Sequence, residues 1–536
     1  MNAPFGHPLT IAGALICDGT GVTPPFEGEV TLQAGRIVQV RKYSSSSGKR
    51  SRSGKGKILD AGGLLLTPGF IDLHSHSDLS LFAAPEAPGL LAQGVTSIVT
   101  GNCGLSPFPI LTEEVRSHLQ EIYKIYGERL GWKSFREYAT FLQKREPAVN
   151  VTALCGHNTL RANFSGYGKI PSAIPMTLQM KETLQKTLQE GALGLSTGLL
   201  YVPGKHASRE ELFSLMEVLK ACNSLYATHL RSEGALLKEA LSEALELGNA
   251  SSKRVLISHL KTAGEANWHL LPEILEMFHK ARKEGMELFA DRYPYTFAQS
   301  SLSLLLPGKY DDMSDTAIRH ELGSLGEKEL ALLAGEVEKS RKNWERVILT
   351  SSGSPFALEW DLLGLDLKTA SRKTALSPGK LVIRILQEAA SSSMAAFGGM
   401  SEENLAKILR EEFVSCGTDE TARDLTFSLG KSHPRGFGSF PLFAEELAKM
   451  AVPLEKIICR FTGLPAKILH WEKRGLIKEG FFADLLLLDW ENYRSNASFA
   501  APHTPASGVE KVFVNGVESK CARNGKILSP NGSFLW

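Results

Sequence analysis

Between residues 68 and 474, short apolar runs that read as strands alternate with stretches of helical period. This alternation limits the possible folds more than any other feature of the chain. The strand-like runs are GFIDLHSH, VTSIVTGN, VTALCGH, ALGLSTG, YATHLRS, VLISHLK, ELFADRYPY, RVILTSS and FVSCGTD. Between them, 176–190, 210–222 and 270–284 carry apolar residues at helical spacing. Strand and helix repeated this often predict a parallel sheet closed into an α/β, TIM-like (β/α)8 barrel. The stretch 302–344 breaks the rhythm. It is long, charged and helix-like, and it reads as an insertion that lies as a lid over the barrel mouth.

Short strands punctuated by Gly and Asp flank the barrel region. LTIAGALIC, GEVTLQAGRIVQV and KILDAGGLLLTPGFID precede it; GFFADLLLLD, VEKVFVNGVES and GKILS follow it. The expected organisation is one small β-sandwich built from both ends of the chain, 1–67 and 475–536, with the barrel, 68–474, inserted between them. The basic stretch YSSSSGKRSRSGKGK at 43–57 reads as a solvated hairpin tip; it is too short to argue for an anionic partner.

Composition removes several function classes. Among 536 residues, 60 Lys and Arg against 58 Asp and Glu leave a net charge of +2, so no strongly basic domain points to nucleic acid. With 43% apolar residues the chain can bury a core, which excludes disorder over most of its length. The most apolar stretches, such as 481–488, fall well short of a membrane span. Seven scattered cysteines with no CxxC pair argue against a disulfide framework and for a reducing compartment. The first residues read as a strand, not a signal peptide, so the expected location is cytoplasmic.

The chemistry gathers at strand ends. In GFIDLHSHSD, His74 and His76 are two apart, which places both imidazoles on one face of a strand. At the C-terminal end of a barrel strand that face is the mouth, and neutral imidazole suits zinc; read alone, the pair is equally two ordinary histidines. Cys103 follows the next strand, where it is either an inert core thiol or a thiolate ligand. YATHLRSE and LISHLKT share one form: His229 with Arg231, and His259 with Lys261, each two apart. A metal ligand beside a cation suits an anionic substrate. Asp419 ends FVSCGTDE and is either a helix N-cap or a last-strand carboxylate able to bind metal and move a proton. Arg435, in HPRG, offers a guanidinium fork to a carboxylate. Among the remaining candidates, His157 reads as structural and Asp78 as the carboxylate that orients a ligand imidazole. His206 reads as a surface residue near Tyr201, Cys155 and Cys416 as core, and His118, His269, His279 and His320 as exposed helical residues.

Taken in order, TPGFIDLHSHSD, GNCGLSP, GHNTLR, GLLYVPG, THLRSE, SHLK, DRYPY, HPRGFGSF and RGLIKEGFFADLLLLD resemble the N-acyl-D-amino-acid deacylases of the metal-dependent amidohydrolase superfamily, over nearly the whole chain. GNCG, GLxYxPG and HPRxxG are signals of that family; HxH and GxxAD are shared across the superfamily. The resemblance implies a β-sandwich from both termini and a zinc-bearing (β/α)8 barrel. It implies that Cys103, His229 and His259 hold one tight zinc. His74, His76 and Asp419 would line a second, weaker position that shares Cys103. It further implies that Asp419 is the general base and then the general acid, that Tyr201 binds the scissile carbonyl, that Lys261 and Arg435 clamp the substrate carboxylate, and that Ser300 or Ser301 contacts the substrate. The sequence departs from the family's Gly-Ser-Asp-Gly at Gly417-Thr418-Asp419-Glu420, where Glu420 adds bulk and charge beside the base.

The activity that follows is hydrolysis of N-acyl-D-amino acids, on a small-molecule substrate, with zinc as cofactor and a monomer as the default state. One competing reading is a cyclic-amide hydrolase resembling hydantoinases or dihydroorotases. Those bridge two metals with a carboxylated lysine on the fourth strand, and GALGLSTG has no lysine. The other is a non-catalytic amidohydrolase-like scaffold, which should lack ligands.

Overall fold

Both ends of the chain build one sheet. The computed structural model describes residues 7–43 and 56–535; the expected hairpin tip at 43–57 lies almost entirely outside them. Strands β1 (Leu9–Ile16), β2 (Phe26–Gln33), β3 (Arg36–Lys42), β4 (Lys57–Asp60) and β5 (Leu65–Pro68) open the chain. The barrel then begins with β6 (Phe70–Asp72), β7 (Val95–Thr100), β8 (Asn150–Ala153), β9 (Cys155–Gly156), β10 (Gly194–Gly198), β11 (Leu225–His229), β12 (Arg254–Ile257) and β13 (Glu287–Arg292). Three strands follow outside the barrel: β14 (Phe297–Ser301), β15 (Val347–Ser351) and β16 (Met394–Gly398). The last barrel strand is β17 (Val414–Cys416), and β18 (Leu485–Leu488), β19 (Val509–Val514) and β20 (Val517–Glu518) return to the terminal sheet.

The barrel strands are parallel throughout. One sheet runs β6-β7-β8 and the other β9-β10-β11-β12-β13-β17. β8 and β9 are one kinked third strand, interrupted at Leu154. The ring closes between the first and eighth strands through a parallel bridge, Ser75 to Glu420, with Asp419 N donating to His74 O at 2.7 Å and His76 N to Glu420 O at 2.9 Å. The seam of the barrel is therefore made by the residues around the two histidines and the aspartate. Helices fill the crossovers as the periodicity predicts: Ile174–Gln189, Arg209–Cys222 and Leu271–Lys283. In the second of these, Ser208 accepts the Glu211 N–H at 3.2 Å to cap the first turn. Leu212, Leu215, Met216 and Leu219 then form one buried stripe. Each such leucine contributes roughly 1.5–3 kcal/mol by leaving water.

The terminal sheet follows the order β20-β19-β18-β5-β1-β2-β3, with β4 alongside β1. β18 shows why both ends of the chain are needed. Leu485 and Leu487 pack into the core of the terminal sheet, while Leu486 and Leu488 pack into the barrel core. A strand buried on both faces reads as a continuous apolar run, which LLLL is. Among the described residues, no helix is long and apolar enough to cross a membrane.

The insertion is larger than 302–344. Strands β14, β16 and β15 form an antiparallel sheet, and four helices, Asp315–Ser324, Glu327–Ser340, Leu367–Thr374 and Pro378–Ala389, pack on a separate core that includes Leu322, Val337, Leu349, Leu381 and Leu386. RVILTSS is therefore not a barrel strand: Val347 pairs antiparallel with Phe397. Apolar β runs look alike whichever sheet takes them. Here the barrel is complete with eight strands, and the ninth run joins the neighbouring sheet. The inserted unit touches the barrel mouth where Asp312 meets Lys205 at 3.1 Å and where Gln299 donates to Glu420 at 3.1 Å.

Candidate metal centre

Six side chains from five strand ends converge on one point. His74 and His76 follow β6, Cys103 follows β7, His229 ends β11, His259 follows β12 and Asp419 follows β17. Two sets of ligand atoms result, each with its members within 4.8 Å of one another: His74, His76, Cys103 and Asp419, and Cys103, His229 and His259. Cys103 belongs to both. Its Sγ lies 3.3 Å from His74 Nε2 and 3.4 Å from His259 Nε2. Asp419 Oδ1 lies 3.1 Å from His76 Nε2 and 3.4 Å from His74 Nε2.

Local backbone geometry aims these groups. Cys103, His259 and Asp419 all have left-handed conformations, with φ of 53°, 38° and 52°. Non-glycine residues seldom adopt such angles, and they persist where surrounding contacts over-determine them. For Cys103 two glycines make the room. Gly104 follows at φ +76°, and a Cβ at Gly198 would stand 2.1 Å from the Cys103 carbonyl oxygen. For Asp419 the lock is Thr418, whose N–H and hydroxyl both donate to Asp72, at 3.0 and 2.6 Å.

The electrostatics call for a cation. Burial opposes ionisation of the Cys103 thiol, yet the charges of His74 and His259 hold it well below the ordinary thiol range. Burial opposes the Asp419 carboxylate too, and Arg435, His259 and His74 override it. In return the imidazoles are driven toward protonation: burial works against it, but Asp419 and Cys103 push His76 up to about 10, and Glu233, Cys103 and Asp419 push His259 up to about 9. Both nitrogens of His229 are buried without a hydrogen-bond partner; Glu233 Oε2 is 3.8 Å away. A buried imidazole with no partner beside a thiolate and carboxylates fits a metal ion, and the Cys, His and carboxylate donor set fits zinc.

The supporting carboxylates are not the one expected. Asp78 accepts the Gly101 N–H at 2.7 Å and so steadies the turn before Cys103. The carboxylate on a ligand imidazole is Asp291, at the end of β13: Oδ2 meets His74 Nδ1 at 3.2 Å and Oδ1 accepts the His259 N–H at 2.9 Å. Glu233 does the same for His259, with Oε1 3.0 Å from Nδ1. Such partners fix the ring orientation and tautomer of a ligand histidine. Replacing Asp291 by Asn is expected to weaken metal affinity by about 10- to 100-fold with folding retained. Metal content after dialysis against graded chelator, with a melting curve as control, measures this.

The other predicted residues fall around this centre. The Tyr201 ring is 4.9 Å from that of His229, and its hydroxyl interacts with Ser300. Burial pushes that phenol well above its usual value, so it stays protonated. Ser301 is turned away, bonded to Asp315 and Ser303. Lys261 is held by Glu233 and by His259 Nδ1 at 2.8 Å. Arg435 Nη1 meets Asp419 Oδ2 at 2.7 Å, and its Nε has no partner. Glu420 does not point at the base. It accepts the His433 N–H at 3.2 Å and Gln299 Nε2 at 3.1 Å, and so ties the HPRG loop and the insertion to the seam. His157 is buried against Glu211 at 2.8 Å. Arg231 pairs with Glu243, away from the ligands. His118 packs on Tyr167 and is not exposed. Asp291, Glu233 and Tyr293 escaped the sequence reading. Tyr293 is buried with the Arg292 and Arg435 guanidinium groups against its ring, and only its place in DRYPY marked it.

The chain is similar to known proteins over nearly its whole length. Residues 57–322 match the model of the Amidohydrolase family. An N-acyl-D-aspartate deacylase of Alcaligenes xylosoxydans xylosoxydans is 29% identical over 100% of this chain and 97% of its own length. A D-aminoacylase of the same organism is 28% identical over 96% and 94%. The structure of N-acyl-D-glutamate deacylase from Bordetella bronchiseptica, complexed with zinc and a phosphonate mimic of the tetrahedral intermediate, superposes with a TM-score of 0.79 at 25% identity, over 98% of this chain and 99% of that one. An L-hydantoinase from Arthrobacter aurescens shares the fold, with a TM-score of 0.53 at 15% identity over 98% and 99%.

Proposed function

We propose, from the match of residues 57–322 to the Amidohydrolase family and from the site above, that the chain is a metal-dependent amidohydrolase that hydrolyses the amide bond of N-acyl-D-amino acids to a carboxylate and a free D-amino acid. The observation that carries the reading is Cys103 shared between two sets of ligands, beside a carboxylate and a pair of cations. The relatives named for D-amino-acid deacylation, matched over nearly their full lengths, support it.

A tight zinc ion held by Cys103, His229 and His259 would supply the Lewis acidity that makes a water acidic near neutral pH and polarises the amide carbonyl. His74, His76 and Asp419 would hold a second, weaker ion with Cys103. Asp419 is ionised and has one oxygen fixed by Arg435; the other faces the histidines, placed to accept a proton from the attacking water. The same group then returns that proton to the departing nitrogen, which cannot leave as an anion. Tyr201, kept protonated by burial, donates to the oxyanion as negative charge develops on the carbonyl oxygen. Lys261 and Arg435 hold the substrate carboxylate. Both are already fixed by Glu233 and Asp419, so little ordering is lost on binding. Fixing the carboxylate on one side and the acyl carbonyl on the other selects one hand of the Cα between them.

The fourth strand, Gly194–Gly198, carries no lysine, so nothing in the site favours the cyclic-amide hydrolases that carboxylate one there. The test is amine release from matched N-acetyl-D- and N-acetyl-L-amino acids, with a hydantoin as control, on protein of measured metal content. About one tight zinc per chain and release from the D series alone is the expected result. Turnover of the hydantoin alone would move the protein to the cyclic-amidase branch. No metal and no turnover would leave a scaffold.

A further inference from the structure

Glu420 joins three parts of the molecule through one carboxylate. It is 3% exposed and follows Asp419 at the barrel seam. Its backbone carbonyl accepts the His76 N–H at 2.9 Å, which fixes where the side chain starts. Oε1 accepts the Thr421 N–H at 3.0 Å and the Thr421 hydroxyl at 3.1 Å, which fixes the plane of the carboxylate. Oε2 then takes a donor from each of two other segments. Gln299 Nε2, from β14 of the insertion, donates at 3.1 Å, and the His433 N–H, from the HPRG loop, at 3.2 Å. The stem is fixed as well, because a Cβ at Gly436 would stand 2.8 Å from Glu420 Cγ. Arg435 Nε is 3.8 Å away, beyond hydrogen-bond range, so Glu420 acts on its neighbours chiefly as an acceptor.

Each of the two donors on Oε2 leads to a substrate-binding group. On one side, His433 Nδ1 accepts the Arg435 N–H at 3.1 Å, and Arg435 opens its helix with Nη1 on Asp419 at 2.7 Å. On the other, a strand alternates its side chains, so β14 reaches Glu420 with Gln299 and the Tyr201 hydroxyl with Ser300. Tyr201 follows the fourth barrel strand, and Arg435 follows the last. In a ring of eight strands these stand opposite one another. The path from Ser300 through Gln299, Glu420 and His433 to Arg435 therefore spans the barrel mouth. Each of its links is a peptide bond or a hydrogen bond of 3.2 Å or less.

We propose that Glu420 is a positioning residue that sets the span between the Tyr201 hydroxyl and the Arg435 guanidinium, and so selects substrates by the number of carbons between the amide nitrogen and the carboxylate. The proposal rests on the hydrolase reading above, which gives Tyr201 the scissile carbonyl and Arg435 the carboxylate. An α-amino acid places one carbon between nitrogen and carboxylate; a β-amino acid places two. A span held by one buried acceptor admits the first and rejects the second. A span with slack admits both. Glu420 itself touches no substrate in this scheme and acts through Gln299 and His433.

The test is steady-state kcat/KM on the best N-acetyl-D-amino acid and on its analogue with one more methylene between nitrogen and carboxylate. The proteins are the wild type, Glu420→Met, Glu420→Gln and Gln299→Leu, with metal content and melting temperature as controls. The wild type is expected to favour the α-amino acid by at least about 30-fold, within the range that one methylene commands. Glu420→Met keeps the stem and removes the acceptor. It is expected to lower kcat/KM on the α-substrate by about 30- to 100-fold and to cut the preference to about threefold or less. Gln299→Leu breaks only the link to the insertion and is expected to cut the preference as far. Glu420→Gln keeps an acceptor for both donors and is expected to retain it. A wild type without the preference overturns the proposal and leaves the deacylase reading standing. So does an equal loss on both substrates in Glu420→Met and Gln299→Leu, or a Glu420→Gln variant as impaired as Glu420→Met. Where Glu420→Met fails to fold, the ratio in Gln299→Leu decides. Absence of wild-type turnover on every N-acyl-D-amino acid overturns both the proposal and the reading beneath it.

Discussion

Replacing Asp419 by Asn is expected to lower kcat by about 10³- to 10⁴-fold while one tightly held metal per chain remains. Positioned acid–base groups contribute about 10²- to 10⁴-fold, and a group that serves as base in one step and acid in the next belongs at the upper end. The tight set, Cys103, His229 and His259, does not include Asp419, so its metal survives the change. Asn keeps the shape that Thr418 and the His74 carbonyl impose on this left-handed residue, so the barrel seam survives as well. The variant does leave Arg435 facing an amide where it faced a carboxylate at 2.7 Å. Removing one partner from a buried ion pair is destabilising, though Glu420 at 3.8 Å limits the loss here. Three measurements separate the effects: metal content, melting temperature and kcat on the best D-substrate. A variant that keeps its metal and a substantial fraction of the wild-type rate would remove Asp419 from the proton path and leave it a mere neighbour of the metal.

The candidate ligands were legible in the sequence for a reason that the supporting residues do not share. His74, His76, Cys103, His229, His259 and Asp419 each stand within four residues of a strand end, and their side chains are the types metals prefer. Strand order then brings them together without further information. Asp291 and Glu233 act across the barrel. The bond from Asp291 to His74 joins residues 217 apart, and nothing in ADRYPY says which imidazole that carboxylate will meet. Asp78 was the natural choice by proximity along the chain, and the turn at Gly101 claims it instead. Tyr293 was hidden in the same way, because nothing in DRYPY says that its ring will lie against the guanidinium of Arg435. The insertion itself was seen only in its helical part. Its strands β14, β15 and β16 have the same apolar character as barrel strands, and pairing partners, not composition, assign them.

Cys103→Ala tests the other half of the site, and its effect on metal is expected to be the largest of any single change. Structural zinc sites draw apparent binding free energies of about 10–16 kcal/mol from their ligands together, so one of three carries several kcal/mol and its loss weakens affinity by roughly 10³-fold or more. Ala is the informative replacement. It keeps a Cβ on the left-handed backbone at φ 53°, where Gly would relax the turn and confound the result. Purified Cys103→Ala should hold far less than one metal per chain and show no turnover. His76→Ala, which touches only the set around Asp419, should keep the tight metal. The contrast matters because Cys103 is buried and its thiolate lies within 3.4 Å of histidines from both sets. Without metal the variant also loses the anion that draws His74 and His259 toward protonation, so the two rings no longer have a thiolate to hold them in place. If Cys103→Ala instead retained one metal per chain and most of its rate, the thiolate would be an ordinary buried cysteine. The metal would then have to be held by His74, His76, His229, His259 and Asp419 alone.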